Sequence, residues 1–160
     1  MTFDPESFRR AMRAWTTGVA IIFSGDENES YGMTINSFSS LSLDPPLATV
    51  VLRNDSRVFD LVRRSSAFSV NILSDSQREL AESFAGKLHG EKRMADVSLT
   101  KLPGGASILD DGAAWFDCRV IHVYAAGQNT LFVAEVVGAG IREAERPLTY
   151  HNREYHTLAK

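Results

Sequence analysis

Thr34, Asn36, Ser37, Ser39, Ser40 and Ser42 place six short polar side chains within nine positions, just ahead of an apolar run from Leu47 to Leu52. Hydroxyls and carboxamides of this size bond a ligand edge or the neighbouring backbone, and they bury little apolar surface. Their density beside a core strand predicts a rim that holds a polar ligand. Read without a ligand, the same residues are a serine-rich turn that satisfies its own backbone. Pro45-Pro46 closes the stretch and is expected to deliver the chain, extended, into the strand.

Other chemistries are poorly served. The four histidines, His89, His122, His151 and His156, show only one regular spacing, the pair at 151 and 156, and no carboxylate pattern accompanies them. No metal site is expected. Neither a phosphate loop nor Gly-x-Gly-x-x-Gly nor Gly-x-Ser-x-Gly occurs, and no catalytic triad or dyad can be assembled. The single cysteine, Cys118, lies in Trp115-Phe116-Asp117-Cys118-Arg119-Val120, which reads as a buried strand. A small apolar core thiol is expected there.

The elements that must position the polar rim belong to one domain of 160 residues, with 44% apolar and 23% charged positions. A formal charge of −3, with basic residues no denser than pairs such as Arg9-Arg10, argues against a nucleic-acid partner. No apolar run approaches the ~20 residues of a membrane helix, and the N-terminus lacks signal-peptide form. A reduced cytoplasm is expected.

Asp4-Pro5 predicts a helix start, and Phe8, Met12 and Trp15 set an apolar stripe on a helix ending near Gly18. Val19 to Phe23 and Tyr31 to Ile35 read as a hairpin, and Leu47 to Leu52 as a buried strand. Ser56 caps a short helix. Ala67 to Leu73 reads as a strand, and Ser74 to Gln77 has capping-box spacing ahead of a helix carrying Leu80, Ala81 and Phe84. Gly86 to Asp96 is a charged connection, and Pro103-Gly104-Gly105 a turn. Ala113 to Tyr124 and Leu131 to Ala139 are long strands joined through Ala125 to Thr130, and Pro147 to Tyr150 is a short last strand. Many strands and scattered short helices favour a closed antiparallel barrel with helices over its ends.

Thr34 to Pro46 follows the pattern Thr-x-Asn-Ser-x-x-Ser-x-Ser-x-Asp-Pro-Pro throughout. In this the chain resembles the flavin reductase family, the short-chain NAD(P)H:flavin oxidoreductases that serve two-component monooxygenases. The resemblance runs from about Phe8 to Tyr155. It implies a single flavin reductase-like domain over residues 1–160, mainly β with short helices, folded as an FMN-binding split barrel. It also implies a homodimer with flavin near the subunit interface. Met33, Thr34, Asn36 and Ser37 are then expected at the ring system or ribityl chain, with Ser40 nearby. Arg53 to Arg57 matches a phosphate-side stretch, which makes Ser56 and Arg57 phosphate candidates; an N-cap serine and a solvent-facing arginine are the alternative. Phe84-Ala85 matches a Phe-Ala near flavin, and Arg93 is a further phosphate candidate.

Pro147-Leu148-Thr149-Tyr150-His151 with Tyr155 resembles the family's ending and makes His151 a nicotinamide-side candidate. The family's glycine there is replaced by Asn152 or Arg153, depending on register. Relatives commonly carry Gly-Asp-His-Thr at the tip of the long hairpin, where this chain reads Gly127-Gln128-Asn129-Thr130. Asn129 is the second nicotinamide-side candidate, able to hydrogen-bond a carboxamide but not to titrate.

The resemblance implies an enzyme without catalytic side chains. Such an enzyme orients NADH or NADPH against FMN or FAD and releases reduced flavin to a separate monooxygenase. Two other readings fit the same residues: a flavin-binding carrier or sensor with little reductase activity, and a flavin-dependent reductase of another acceptor such as a corrinoid.

Overall fold

A computed structural model describes residues 3–26, 28–87, 97–104, 106–143 and 145–159. The Asp4 carboxylate accepts from the backbone N–H groups of Glu6 and Ser7, both at 3.0 Å, and Pro5 takes the first helical position of α1 (Pro5–Met12). The helix stops well short of Gly18, and Trp15 lies beyond it. No residue of α1 is buried; Phe8, Met12 and Trp15 are 57%, 48% and 67% exposed, so their stripe is not core.

The strands that follow are β1 (Thr17–Gly18), β2 (Ala20–Gly25), β3 (Ser30–Ile35), β4 (Ser39–Leu43), β5 (Pro46–Arg53), β6 (Ala67–Ile72), β7 (Leu99–Lys101), β8 (Ser107–Leu109), β9 (Ala114–Ala126), β10 (Asn129–Ile141), β11 (Leu148–His151) and β12 (Glu154–Thr157). Helix α2 (Arg57–Ser65) separates β5 from β6, and α3 (Arg78–Glu82) lies between a 3-10 turn and a π turn after β6. Seven strands form one antiparallel sheet in the order β3-β2-β6-β9-β10-β5-β4. A second sheet has the order β1-β11-β12, and β7 pairs with β8.

The large sheet curls on itself. Ile22, Val50, Phe68, Val70 and Phe132 come from four of its strands and share one core with Val58 and Val62 of α2. Its edge strands, β3 and β4, are consecutive in sequence and joined by Asn36-Ser37-Phe38. The result is an antiparallel split barrel, and the split falls at the polar stretch. Ser37 holds the seam: its Oγ donates to the Val51 carbonyl at 2.9 Å and accepts from the Val51 N–H at 3.2 Å.

Strand β2 is buried along its whole length. Ile21 and Phe23 face a second core of Leu73, Ala81, Phe84, Leu109 and Leu148. Here Gly32 of β3 has no room for a side chain. A Cβ at that position would stand 2.4 Å from the Phe23 ring and 2.7 Å from the Phe84 ring. Both rings are fully buried, so neither can swing away. Gly32→Ala is therefore expected to destabilise the fold by about 1–3 kcal/mol. A denaturant midpoint equal to that of the parent chain would show that the rings move freely.

Three connections differ from expectation. Asp44 and Pro45, joined by a cis bond, form the two-residue turn between β4 and β5, and only Pro46, paired with Leu43, enters the strand. The long hairpin turns on Gly127-Gln128 alone. Gly127 at φ 63 supplies the positive φ that a two-residue hairpin needs at its first position, and Asn129 is already in β10. The chain ends in a hairpin, not a single strand: β11 turns into β12 through Asn152 and Arg153, at φ 47 and 68. No glycine announces this turn, which is why the sequence conceals it. Residues 88–96 of the expected charged connection lie outside the described residues.

Candidate functional site

Three adjoining clefts, of about 540, 440 and 180 Å³, have one residue in common, Asn36. The largest runs between α1 and the β11–β12 turn. The second lies between Trp15–Gly18 and Asn36–Ser39. The smallest is walled by Thr34, Ala85, Tyr150 and Tyr155. Asn36 is exposed, and among the described residues its carboxamide has no hydrogen-bond partner.

The alternation of β3 explains the placement. Gly32, Thr34 and Asn36 share one face, while Met33 and Ile35 point into the barrel core. Thr34 Oγ1 donates to the Ala81 carbonyl at 2.7 Å. That bond fastens α3, and the π turn carrying Phe84 and Ala85, onto β3. It also fixes the polarity of the hydroxyl: with its one proton committed, Thr34 offers the cleft only lone pairs. Thr34→Val, which keeps the shape and loses the bond, is expected to cost about 1–2 kcal/mol of stability. Thr34→Ser should restore it; equal denaturant midpoints for the valine and serine variants would refute the assignment.

Phe84 is 1% exposed and meets Phe23 edge-on at 5.5 Å between centroids, while Ala85 next to it is exposed on the cleft wall. Gly86, at φ 108, ends the turn. Tyr150 and Tyr155 stack obliquely, 5.2 Å apart. Burial, with Tyr150 adding to it, pushes the Tyr155 phenol above its ordinary value, so it stays neutral and able to donate at physiological pH.

The remaining expected residues lie elsewhere in the chain. Met33 packs against the barrel core. Ser40 stands exposed on β4, its hydroxyl without a partner among the described residues. Ser56 caps α2, accepting from Phe59 N–H at 3.3 Å and donating to the Arg53 carbonyl at 2.9 Å. Arg57 bonds Glu29 at 2.6 Å and covers the Tyr31 ring at 4.9 Å. Hydrogen bonds from Arg57 and then Arg64 hold the Glu29 carboxyl below its ordinary value. This ion-pair group sits at the opposite end of β3 from Asn36. Arg93 lies outside the described residues.

The two nicotinamide-side candidates occupy different sheets. Asn129 pairs with Arg53, and the tip beside it is pinned by Asn54, whose N–H donates to the Gln128 carbonyl at 3.1 Å. His151 is on β11, its Nδ1 2.9 Å from Thr16 Oγ1. Cys118 is buried, and loss of solvent pushes its thiol up to about 12, which leaves it unreactive at neutral pH. Among the described residues no cluster of His, Cys, Asp or Glu could hold a metal ion.

Sequence reasoning overlooked Thr16 and Thr17. Both line the second cleft, and Thr17 Oγ1 is buried with no hydrogen-bond partner among the described residues. The signal was present: two hydroxyls ahead of an apolar strand repeat, in miniature, the arrangement of Thr34 to Ser42.

Among the described residues the site therefore combines a free carboxamide in Asn36, a hydroxyl in Thr34 that can only accept, an orphaned hydroxyl in Thr17 and a neutral phenol in Tyr155 along the polar seam. It suits a planar ligand with both donors and acceptors on its edge. The model of the flavin reductase-like domain matches residues 12–159, and the chain belongs to that family. The NADH-dependent flavin reductase StyB of Pseudomonas fluorescens is 35% identical over 159 residues, which cover 96% of this chain and 89% of StyB. The stachydrine N-demethylase reductase subunit Stc3 of Rhizobium meliloti is 37% identical over 135 residues, or 84% of this chain. The chain spans only 58% of that subunit's length. The native structure of the flavin reductase PheA2 superposes with a TM-score of 0.90 at 35% identity, covering 99% of this chain and 100% of that one.

Proposed function

We propose that the protein is an NAD(P)H-dependent flavin reductase that passes a hydride from nicotinamide to FMN or FAD and supplies reduced flavin to a separate flavin-dependent monooxygenase. The observation that carries this reading is Asn36, unpaired among the described residues where three clefts meet. Flavin, when bound, supplies the electron-accepting ring; the chain supplies orientation. Asn36 would pair with a ring carbonyl through its N–H₂. Thr34, restricted to accepting, would take the ring N–H. The Tyr155 phenol remains a donor. Family membership and a relative that is an NADH-dependent flavin reductase support the activity, and a relative that is the reductase subunit of a flavin-dependent monooxygenase supports a separate oxygenase partner.

We place the enzyme in the cytoplasm, in keeping with its free, buried cysteine; among the described residues no helix is long and apolar enough to cross a membrane. The unit is a homodimer. Exposed apolar residues on β4, β9 and β10, among them Leu41, Leu43, Ile121 and Ile141, give a second copy surface to bury. Sedimentation showing only a 17.7 kDa species at micromolar concentration would refute the dimer. A carrier reading is favoured by one feature, the long hairpin, where Asn129 is a strand residue beside Arg53. Adding NADH or NADPH to the protein with free FMN or FAD separates the two. Flavin-dependent loss of nicotinamide absorbance is expected, and a protein that binds flavin without turnover would establish the carrier instead.

A further inference from the structure

The largest cleft is more than an extension of the ring site. Its walls are α1 on one side and the β11–β12 turn on the other. They are fastened together: Asn152 N–H donates to the Arg13 carbonyl at 3.1 Å, and Thr16 meets His151 at 2.9 Å. The groove holds about 540 Å³ and reaches Asn36 at one end. Among the described residues Arg9, Arg13 and Arg153 line it against a single acid, Glu6. Three cations less one anion leave a net of two positive charges, in a chain whose formal charge is −3. Glu6 occupies Arg9 at 3.2 Å and stands 3.9 Å from Arg13, while Arg153 has no ion-pair partner among the described residues. Trp15, 67% exposed, offers an aromatic face in the same groove.

Arg153 is the telling residue. It holds φ 68, a backbone region where glycine is relaxed and a long side chain is not. This chain sets a guanidinium at a strained turn position, facing a groove that already holds Arg13. Paired guanidinium groups match phosphate oxygens, and an exposed indole stacks on a purine.

We propose that the groove between α1 and the β11–β12 turn seats the adenosine diphosphate arm of a dinucleotide whose redox ring is held at Asn36. Arg13 and Arg153 take the pyrophosphate, and Trp15 takes the adenine. The inference rests on the reductase reading for the ring site only. FAD and NADH carry the same arm, so the chemistry is shared and the test must tell them apart.

ADP-ribose, which has the arm and neither redox ring, is the equilibrium probe. Calorimetry on the full chain without flavin is expected to show binding, weakened about tenfold or more in the Arg13→Gln, Arg153→Gly double variant. No binding by the parent chain at millimolar probe, or equal binding by both proteins, overturns the proposal. Because Arg153→Gly relaxes the turn, its midpoint of unfolding should not fall, and this single variant, expected to weaken binding about threefold, decides the matter if the double variant does not fold. Kinetics then name the source. The ratio of KM for NADH to KM for reduced nicotinamide mononucleotide, or of KM for FAD to KM for FMN, should rise about tenfold in the double variant. Equal changes within both pairs would mean that the arginines act on the ring site and would likewise overturn the proposal. If the parent chain oxidises no nicotinamide with any flavin, the reductase reading falls, while ADP-ribose binding still decides the groove.

Discussion

Phe84→Ala is expected to destabilise the protein by about 3–5 kcal/mol, the range for deleting a buried aromatic ring. The ring is 1% exposed, meets Phe23 edge-on, and covers the face of β3 at Gly32, where no side chain stands to fill the space. Collapse around the cavity is opposed on both sides. Strand β2 is held in the sheet between β3 and β6, and the Thr34–Ala81 bond anchors the turn that carries Phe84. The loss should therefore lie at the upper end of the range. Urea unfolding measures it; a shift below about 1 kcal/mol would mean that the second core repacks and that Phe84 is no anchor. Phe84→Leu, which retains most of the volume, should lose far less.

Asn36→Ala should do the reverse, sparing the fold and weakening the ligand. Its side chain is exposed and bonds nothing among the described residues, so stability should stay within about 0.5 kcal/mol of the parent. Flavin binding should weaken by about 1–3 kcal/mol, because a ring carbonyl would lose its partner in a partly enclosed cleft. Fluorescence titration of FMN and FAD provides the measurement. An unchanged dissociation constant in a folded Asn36→Ala protein would move the ring away from the seam.

What could be read from the sequence was local. The polar seam announced itself by density. Ser56 as a cap, and the Ser74–Gln77 pair with Ser74 N–H donating to Gln77 Oε1 at 2.9 Å, lie within one turn of their partners. What could not be read was long-range or unsignalled. Thr34 spends its proton on a carbonyl 47 residues away, and Arg57 finds its carboxylate 28 residues back. The stripe of Phe8, Met12 and Trp15 keeps helical spacing after the helix has ended, because apolar spacing records a face and not a backbone. The last hairpin was missed because Asn152 and Arg153 do the work of a glycine turn without glycine. The polar character of the site was thus visible early, but its division between bonded and free groups was not.

Ser37 bears on how such a barrel keeps to itself. Strand β4 runs out opposite Thr49, so beyond that point β5 would present an unpaired N–H and carbonyl at Val51. An open rung of this kind invites another chain to add a strand. One hydroxyl satisfies both groups, and it comes from the loop that crosses the seam. The barrel can thus stay open for a ligand without leaving that rung as a template for aggregation.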